Sequence, residues 1–216
     1  MKLKPYIIAL FLIATIALSA KTDLTEKAFS SPVSASLKSS SYNSDTNYRN
    51  VIFTETFENS SPTRSAWSQI KETGTKIWTF AMCSSDGSIN SAFSGSLNAR
   101  FTSTKKGGPY ITKLVSPAID LSGSISAQLS FYYAQEMRSQ GNSQNELKVY
   151  YRTGPSSSWL ELAHYTASVT SWTSVSIDLP DICASYQIAF EGIDRYGYAN
   201  VLDNVEIAAV SGSGGG

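Results

Sequence analysis

The chain has 216 residues, of which 42% are hydrophobic and 16% are charged. This composition is typical of a globular protein with one sizeable core, and it excludes a chain that is disordered throughout. Seventeen basic residues balance seventeen acidic ones. The balance argues against binding to nucleic acid or to an anionic membrane surface through bulk charge.

The first 20 residues have the features of a secretory signal peptide. Lys2 and Lys4 precede an apolar run that ends in small residues, and cleavage after Ser19 or Ala20 fits the pattern. A transmembrane anchor is the alternative, but the run is short for a bilayer span. No cysteine for lipidation follows. We therefore expect a secreted chain, or one at the bacterial cell surface or in the periplasm, without membrane insertion after cleavage.

The next segment, residues 21–49, is rich in serine and lacks periodicity, which predicts a flexible spacer. Residues 210–216 include the sequence SGSGGG, which predicts an unfolded tail, either a linker to a further module or a cloning remnant. Between them, residues 50–209 are predicted to form the folded domain.

Strict alternation of apolar and polar residues predicts several β-strands in this domain. The turn sequences KKGGP, DLSGS, SQGNSQN and TGPSSS separate the strands, and no segment has a helical stripe. Many short strands with regular turns predict an all-β sandwich or barrel. The inward-facing sets are Ile125, Ala127, Leu129, Phe131 and Tyr133; Leu147, Val149 and Tyr151; Val175, Ile177 and Leu179; and Tyr186, Ile188 and Phe190.

Two segments carry a carboxylate in an otherwise apolar row. In VIFTETFEN, Glu55 alternates with phenylalanines, and in NVLDNVEI, Asp203 alternates with Val201, Val205 and Ile207. An inward carboxylate costs several kcal/mol unless it is paired or bound to a metal, and neither segment contains Lys or Arg. Two such groups brought together would need a cation between them or a retained proton. The alternative is a carboxylate that accepts hydrogen bonds from loop amides.

The sequence gives little support for an enzyme. His164 is the single histidine, and the motifs of common nucleophilic, metal-dependent and phosphate-binding sites are absent. A glycosidase needs only two carboxylates. The available acids, however, lie in the first and last strands rather than in an identifiable cleft. We therefore predict that the chain is not an enzyme.

Cys83 and Cys183 are the two cysteines of the chain. An even count in an exported protein permits a disulfide bond, and the alternative is two unpaired thiols.

The order of several motifs is similar to that of a known family. FTETFENSSPTRSAW, with Pro62 and Trp67, resembles the opening of the cleaved-adhesin repeats of gingipain-type haemagglutinin/adhesin regions. The stretches SGSLNARF, ITKLVSPAIDLSG, LSFYYAQ, LKVYYRTG, SWTSVSIDLP and YQIAFEGIDRYGYANVLDNVEI follow in the family's order. The wider group includes choice-of-anchor and MAM-like domains. This resemblance covers about residues 50–209 and implies a concanavalin-like jelly roll of two antiparallel sheets.

The resemblance also implies a metal site. In this fold the first and last strands are neighbours, which would bring Glu55 and Glu58 near Asp203, and members of the group commonly hold structural calcium there. Asn59 and loop carbonyls could complete a calcium shell of six to eight oxygens. Zinc is disfavoured because these segments contain no His or Cys.

The chain departs from the family pattern at two points. Ser60 stands where the family usually has glycine, and KETGTKIW replaces an acidic loop, so that Glu72 is the one acid there. A metal site that uses this loop is therefore not expected, and because no protease module is attached, gingipain activity does not carry over.

The function implied by the resemblance is adhesion or ligand binding, with a host or matrix protein, or a glycan, as the partner. A carbohydrate-binding module and a structural spacer are the alternatives. The candidate ligand-binding aromatics are Trp159, Trp172, Tyr196 and Tyr198, unless these rings pack at the edges of the sandwich.

Overall fold

The computed structural model describes residues 49–102, 108–139 and 143–212. The predicted signal peptide, almost all of the predicted spacer and the end of the glycine tail lie outside these residues. The described part contains one short 3-10 helix, Arg64–Ala66, and eleven strands. The strands are β1 (Arg49–Glu55), β2 (Ser68–Thr73), β3 (Thr79–Ala81), β4 (Asn98–Phe101), β5 (Tyr110–Val115), β6 (Ser124–Gln135), β7 (Glu146–Arg152), β8 (Leu160–Tyr165), β9 (Val169–Leu179), β10 (Gln187–Asp194) and β11 (Asn200–Ser211).

The strands form two antiparallel sheets. Sheet A has the order β3-β4-β11-β6-β9, with β1 also paired to β11, and sheet B has the order β2-β5-β10-β7-β8. The predicted two-sheet jelly-roll sandwich is thus confirmed. The last strand runs to Ser211, two residues past the predicted domain end. In the described ranges no helix is long and apolar enough to cross a membrane.

The core forms where the predicted apolar faces of the two sheets meet. Leu129, Leu147 and Ile188 have no exposed surface, as expected from the alternation. Phe131 of sheet A meets Phe190 of sheet B edge-on, with ring centroids 5.0 Å apart. Burial of each such side chain stabilises the fold by about 1.5–3 kcal/mol. Ile125 is the exception, since it lies at the start of β6 and is 63% exposed.

Strand β11 contains an extra residue that changes which side chains face the core. Its pairing with β6 shifts register between Asp203 and Glu206, and Asn204 has a positive φ of 46°. Such a bulge turns the chain so that the two-residue alternation is interrupted. Leu202 and Val205 therefore both belong to the main core. Asp203, which pairs with Tyr132, lies on the outer face of sheet A.

This bulge corrects one sequence expectation. Val201, Asp203, Val205 and Ile207 were predicted to share one face, but Val205 and Ile207 are in the main core whereas Val201 is in a separate small cluster. A two-residue period cannot anticipate an inserted residue, because the insertion reverses the face of everything that follows it.

Close packing between the sheets leaves no room for a side chain at Gly192 of β10. A Cβ atom at this position would lie 2.5 Å from the ring of the fully buried Phe101 of sheet A. We expect Gly192→Ala to lower the free energy of unfolding by about 1–3 kcal/mol, because the core would be overpacked. Gly123→Ala is the matched control, since its Cβ meets nothing within 4 Å. Equilibrium urea unfolding measures both; equal effects would contradict the packing argument.

Candidate ligand-binding face

Glu55 ends β1 and points into the sandwich, where it is 1% exposed. Its Oε1 accepts a hydrogen bond from the Phe57 N–H at 2.6 Å. Its Oε2 accepts from the Thr63 hydroxyl at 2.7 Å and from the Trp67 indole N–H at 2.9 Å. Three donors of the following loop thus satisfy this buried carboxylate, as buried polar groups require. Glu55 therefore fits the alternative in which an inward carboxylate is satisfied by hydrogen bonds from a loop.

Glu58 follows β1 and binds the loop between β3 and β4 (residues 82–97), which we call the β3–β4 loop. Its Oε1 accepts hydrogen bonds from the N–H groups of Ser96 and Leu97, both at 2.6 Å. Gly95 permits this approach, because its φ is +67° and a Cβ there would lie 2.5 Å from the same oxygen. Successive N–H groups in such a turn form a natural site for an anion.

Asp203 binds the same loop from the outer face of β11 and has no exposed surface. Its Oδ2 accepts from the Ser94 N–H at 3.1 Å, and its Oδ1 accepts from the Asn204 N–H at 2.8 Å. Burial raises the pKa of Asp203 to about 6, the negative charge of Glu58 adds to this shift, and the N–H donors oppose it. The carboxylate therefore anchors the loop while carrying a charge that its surroundings only partly stabilise.

The structure brings some of the predicted metal ligands together and separates others. Glu58 and Asp203 both bind the β3–β4 loop, whereas Glu55 pairs in register with Val205, whose side chain is in the core. Asn59 is exposed. Within the part of the chain that the structure describes, no three or more Asp, Glu, His or Cys side chains are grouped so that they could hold a metal ion. The calcium site stays a prediction.

The β3–β4 loop covers part of the outer face of sheet A. Ile89 of the loop packs on Ala134, Ala199 and Val201 in a small apolar cluster separate from the main core. One end of the loop is fixed by Asp86, whose carboxylate pairs with the Arg138 guanidinium at 2.9 Å. With Asp203 and Glu58 at the other end, polar contacts hold the loop on the sheet along its length.

Three rings lie at this loop and form what we call the aromatic patch: Phe93, Tyr132 and Trp172. Phe93 is 39% exposed and stacks on Tyr132, with centroids 3.5 Å apart and planes 14° apart. Trp172 meets Phe93 edge-on at 6.2 Å, and its indole N–H donates to the Ser91 carbonyl at 3.2 Å. Aromatic residues are enriched at binding surfaces, where the ring supplies apolar contact area and the O–H or N–H group makes a hydrogen bond.

The other aromatic candidates do not join Trp172 in one surface. Tyr196 and Tyr198 lie together, but the Arg138 guanidinium stands over both rings, at 5.1 and 4.4 Å from their centroids. Trp159 lies beside β8, where the Arg152 guanidinium stands 4.4 Å from its centroid. These three rings are engaged in cation–π contacts within the domain, which agrees with the packing alternative.

The outer face of sheet B carries a charged network in which each group already has a partner. Lys113 and Glu191 are 7% and 6% exposed and form an ion pair, and Lys113 Nζ also lies 2.7 Å from Glu72 Oε1. Burial lowers the pKa of Lys113, but its hydrogen bonds to Glu191 and Glu72 outweigh this and raise it. The Tyr150 hydroxyl donates to Glu191 at 3.2 Å. The network satisfies its own members and therefore offers little to a ligand.

The two cysteines are free thiols in the structure, which is the unpaired alternative that the sequence left open. Cys83 follows β3 and Cys183 follows β9, and these are the two outermost strands in the order of sheet A. Three strands lie between them, each about 4.8 Å from the next. A disulfide bond requires Cα atoms within roughly 7 Å, so the pairing does not fit this fold.

Two members of the aromatic patch were missed from the sequence. Tyr132 lies between the inward-facing Phe131 and Tyr133, so the alternation of β6 could have identified it as an outward aromatic. Phe93 lies in a loop without periodicity, and nothing local indicates that its ring stacks on β6. Only the tertiary position of the β3–β4 loop brings the two rings together.

The raised pKa of Asp203 implies that the free energy of unfolding depends on pH. Its ordinary value is 3.8, so between the two values the folded state holds a proton that the unfolded state has released. The free energy of unfolding should therefore fall, relative to Asp203→Asn, as the pH rises from about 4 to about 6, and level off above. Urea unfolding in EDTA between about pH 3.5 and pH 8 measures this; a pH-independent difference would contradict the assignment.

Comparison with known proteins agrees with the observed fold. Two solved cleaved adhesin domains of Lys-gingipain from Porphyromonas gingivalis share the fold. The first has a TM-score of 0.56 at 21% identity, covering 73% of this chain and 97% of that one. The second has a TM-score of 0.55 at 18% identity, covering 74% and 99%. A xylan-binding domain from Paenibacillus barcinonensis matches with a TM-score of 0.49 at 14% identity, covering 76% of this chain and 97% of that one.

No curated protein sequence matches the chain significantly. The family model described as the MAM domain, meprin/A5/mu, matches residues 55–211, which is most of the chain and includes every described strand from the end of β1 to the end of β11. The resemblance noted in the sequence is thereby confirmed, and the chain belongs to the MAM domain family.

Proposed function

We propose that this domain is a non-catalytic ligand-binding module of adhesin type, which acts outside the cytoplasm and binds through the aromatic patch. The proposal is supported above all by the stacking of the exposed Phe93 ring on Tyr132, with Trp172 at the edge of this pair. A loop held on a rigid sheet by several polar contacts is a common way to position binding residues.

The chemistry of the described residues supports binding rather than catalysis. His164 lies near the surface of sheet B, where its Nε2 is 2.8 Å from Glu146 Oε2. Among the described residues, the hydrogen-bond partner of His164 is this carboxylate and not a serine or cysteine that it could activate as a nucleophile. The structural relatives named as adhesin domains support the same assignment, and the signal-like residues 1–20 support export.

The proposal is tested by measuring binding of the purified chain to a panel of matrix proteins, such as collagen, fibronectin and laminin, and to a glycan array. We expect saturable binding to at least one component, weakened at least about tenfold by Phe93→Ser, because central aromatic residues dominate interface energies. Surface plasmon resonance gives the dissociation constants.

Leu160→Ser is the matched control, since Leu160 is 50% exposed on β8 of the other sheet. This variant should bind like the parent. The proposal is contradicted if no component binds, or if the two substitutions weaken binding equally.

We also propose a structural calcium at the junction of β1 and β11. A small cavity of about 130 Å³ is lined by Glu55, Thr54, Thr56, Asn204, Val205 and Glu206. In the described part of the chain, the Oδ1 atom of Asn204 is buried without a hydrogen-bond donor. Amide, carbonyl and carboxylate oxygens are suitable calcium ligands. The fit is partial, because Glu55 and Glu58 already accept hydrogen bonds from N–H and O–H groups.

A site with few free carboxylates should bind calcium weakly, with a dissociation constant of roughly 10⁻⁴–10⁻³ M. At about 5 mM calcium the domain should then unfold at least about 2 °C higher than in EGTA, since ligand binding stabilises the folded state by mass action. Asn204→Ala should abolish the difference, whereas Asn90→Ala, at an exposed position of the β3–β4 loop outside this cavity, is the control. An unfolding midpoint that is identical in calcium and in EGTA would refute the proposal.

A further inference from the structure

A cleft beside Trp172 is the strongest unassigned feature of the outer face of sheet A. The cleft has a volume of about 210 Å³ and lies between the β3–β4 loop and the start of β9. We call it the Trp172 cleft, and its walls are Ser88, Ile89, Asn90, Ser91, Thr170, Ser171 and Trp172. From this lining we propose that the cleft binds one ring of a neutral glycan. The inference rests on the proposed binding function and adds its location and ligand class.

The polar chemistry of the cleft fits hydroxyl groups. Five of its seven lining residues carry a neutral hydroxyl or amide group, and none is charged. Ser88 donates its hydroxyl to Glu136 at 3.1 Å. The side chains of Asn90, Thr170 and Ser171 are exposed and have no hydrogen-bond partner among the described residues. Such groups both donate and accept, as the hydroxyls of a sugar do.

Trp172 supplies a fixed apolar wall. Its indole N–H is held by the Ser91 carbonyl, and its ring packs against the apolar cluster that contains Val201. The ring position is therefore set before any ligand arrives, so binding does not have to order it. The face of an aromatic ring is electronegative, and the C–H groups on one side of a sugar ring are weakly electropositive. Stacking of a sugar ring on this wall is accordingly favourable.

The lining also excludes other ligand classes. A phosphate or a carboxylate would require Lys, Arg or a row of free N–H groups, and no basic side chain lines the cleft. A lipid tail or an apolar peptide would cover the side chains of Asn90, Thr170 and Ser171 without offering them hydrogen bonds. A neutral, polyhydroxylated ring satisfies both the polar groups and the indole.

The test uses the ¹⁵N-labelled full chain and nuclear magnetic resonance. The probes are a defined set of neutral oligosaccharides: xylohexaose, cellohexaose, mannohexaose and β-1,4-galactotriose. We expect at least one probe to shift the Trp172 indole N–H resonance and the amides of Thr170 and Ser171 saturably, and Trp172→Phe identifies the indole signal. The double variant Thr170→Val/Ser171→Ala should weaken binding at least about tenfold, since it removes two exposed hydroxyls.

Trp159→Phe, near the other sheet, is the control and should leave the affinity unchanged. The inference is overturned if no probe gives a saturable shift at these positions, or if the shifts cluster elsewhere. Failure here is distinguishable from failure of the proposed function. Suppose that the chain binds a matrix protein, that Phe93→Ser weakens this binding, and that no oligosaccharide shifts the Trp172 signal. The proposed binding function would then stand, and the glycan inference alone would be wrong.

Discussion

The extra residue in β11 is the constraint on which the rest of the outer face depends. This strand pairs with β6 on one side and with β4 and β1 on the other, so it is the most extensively paired strand of sheet A. The bulge at Asn204 lets its first part direct Val201 and Asp203 outward, while its second part directs Val205 and Ile207 into the core. One strand thereby serves both the sandwich and the loop that lies on its outer surface.

Carboxylates hold two loops of the domain through backbone N–H groups. Glu55 binds the loop after β1 from inside the sandwich, and Glu58 and Asp203 bind the β3–β4 loop outside it. A charged acceptor makes a stronger hydrogen bond than a neutral one, and these acceptors are shielded from water. The geometry of the aromatic patch follows from this anchoring, because Phe93 directly precedes Ser94, whose N–H group binds Asp203.

The sequence predicts the sandwich but not the outer face. Alternation identifies the buried faces of β6 and β7, because burial follows a two-residue period along most of β6 and all of β7. Strand β10 is buried on both faces, which its alternation does not indicate. Glu55 was correctly expected to face inward, while Asp203 was assigned to the wrong face, since the chain around Asn204 gives no local signal of an inserted residue. The contact between Phe93 and Tyr132 joins a loop to a distant strand, and no local pattern encodes it.

Asp203 and Glu58 hold the β3–β4 loop on the outer face of sheet A through the N–H groups of the loop. Amide hydrogen exchange measured residue by residue tests this directly. We expect Asp203→Ala to accelerate exchange at Ser94, and Glu58→Ala to accelerate it at Ser96 and Leu97. Asp120→Ala, at an exposed turn, should change the exchange of none of these three amides. Unchanged protection of these amides in the first two variants would show that the carboxylates do not hold the loop.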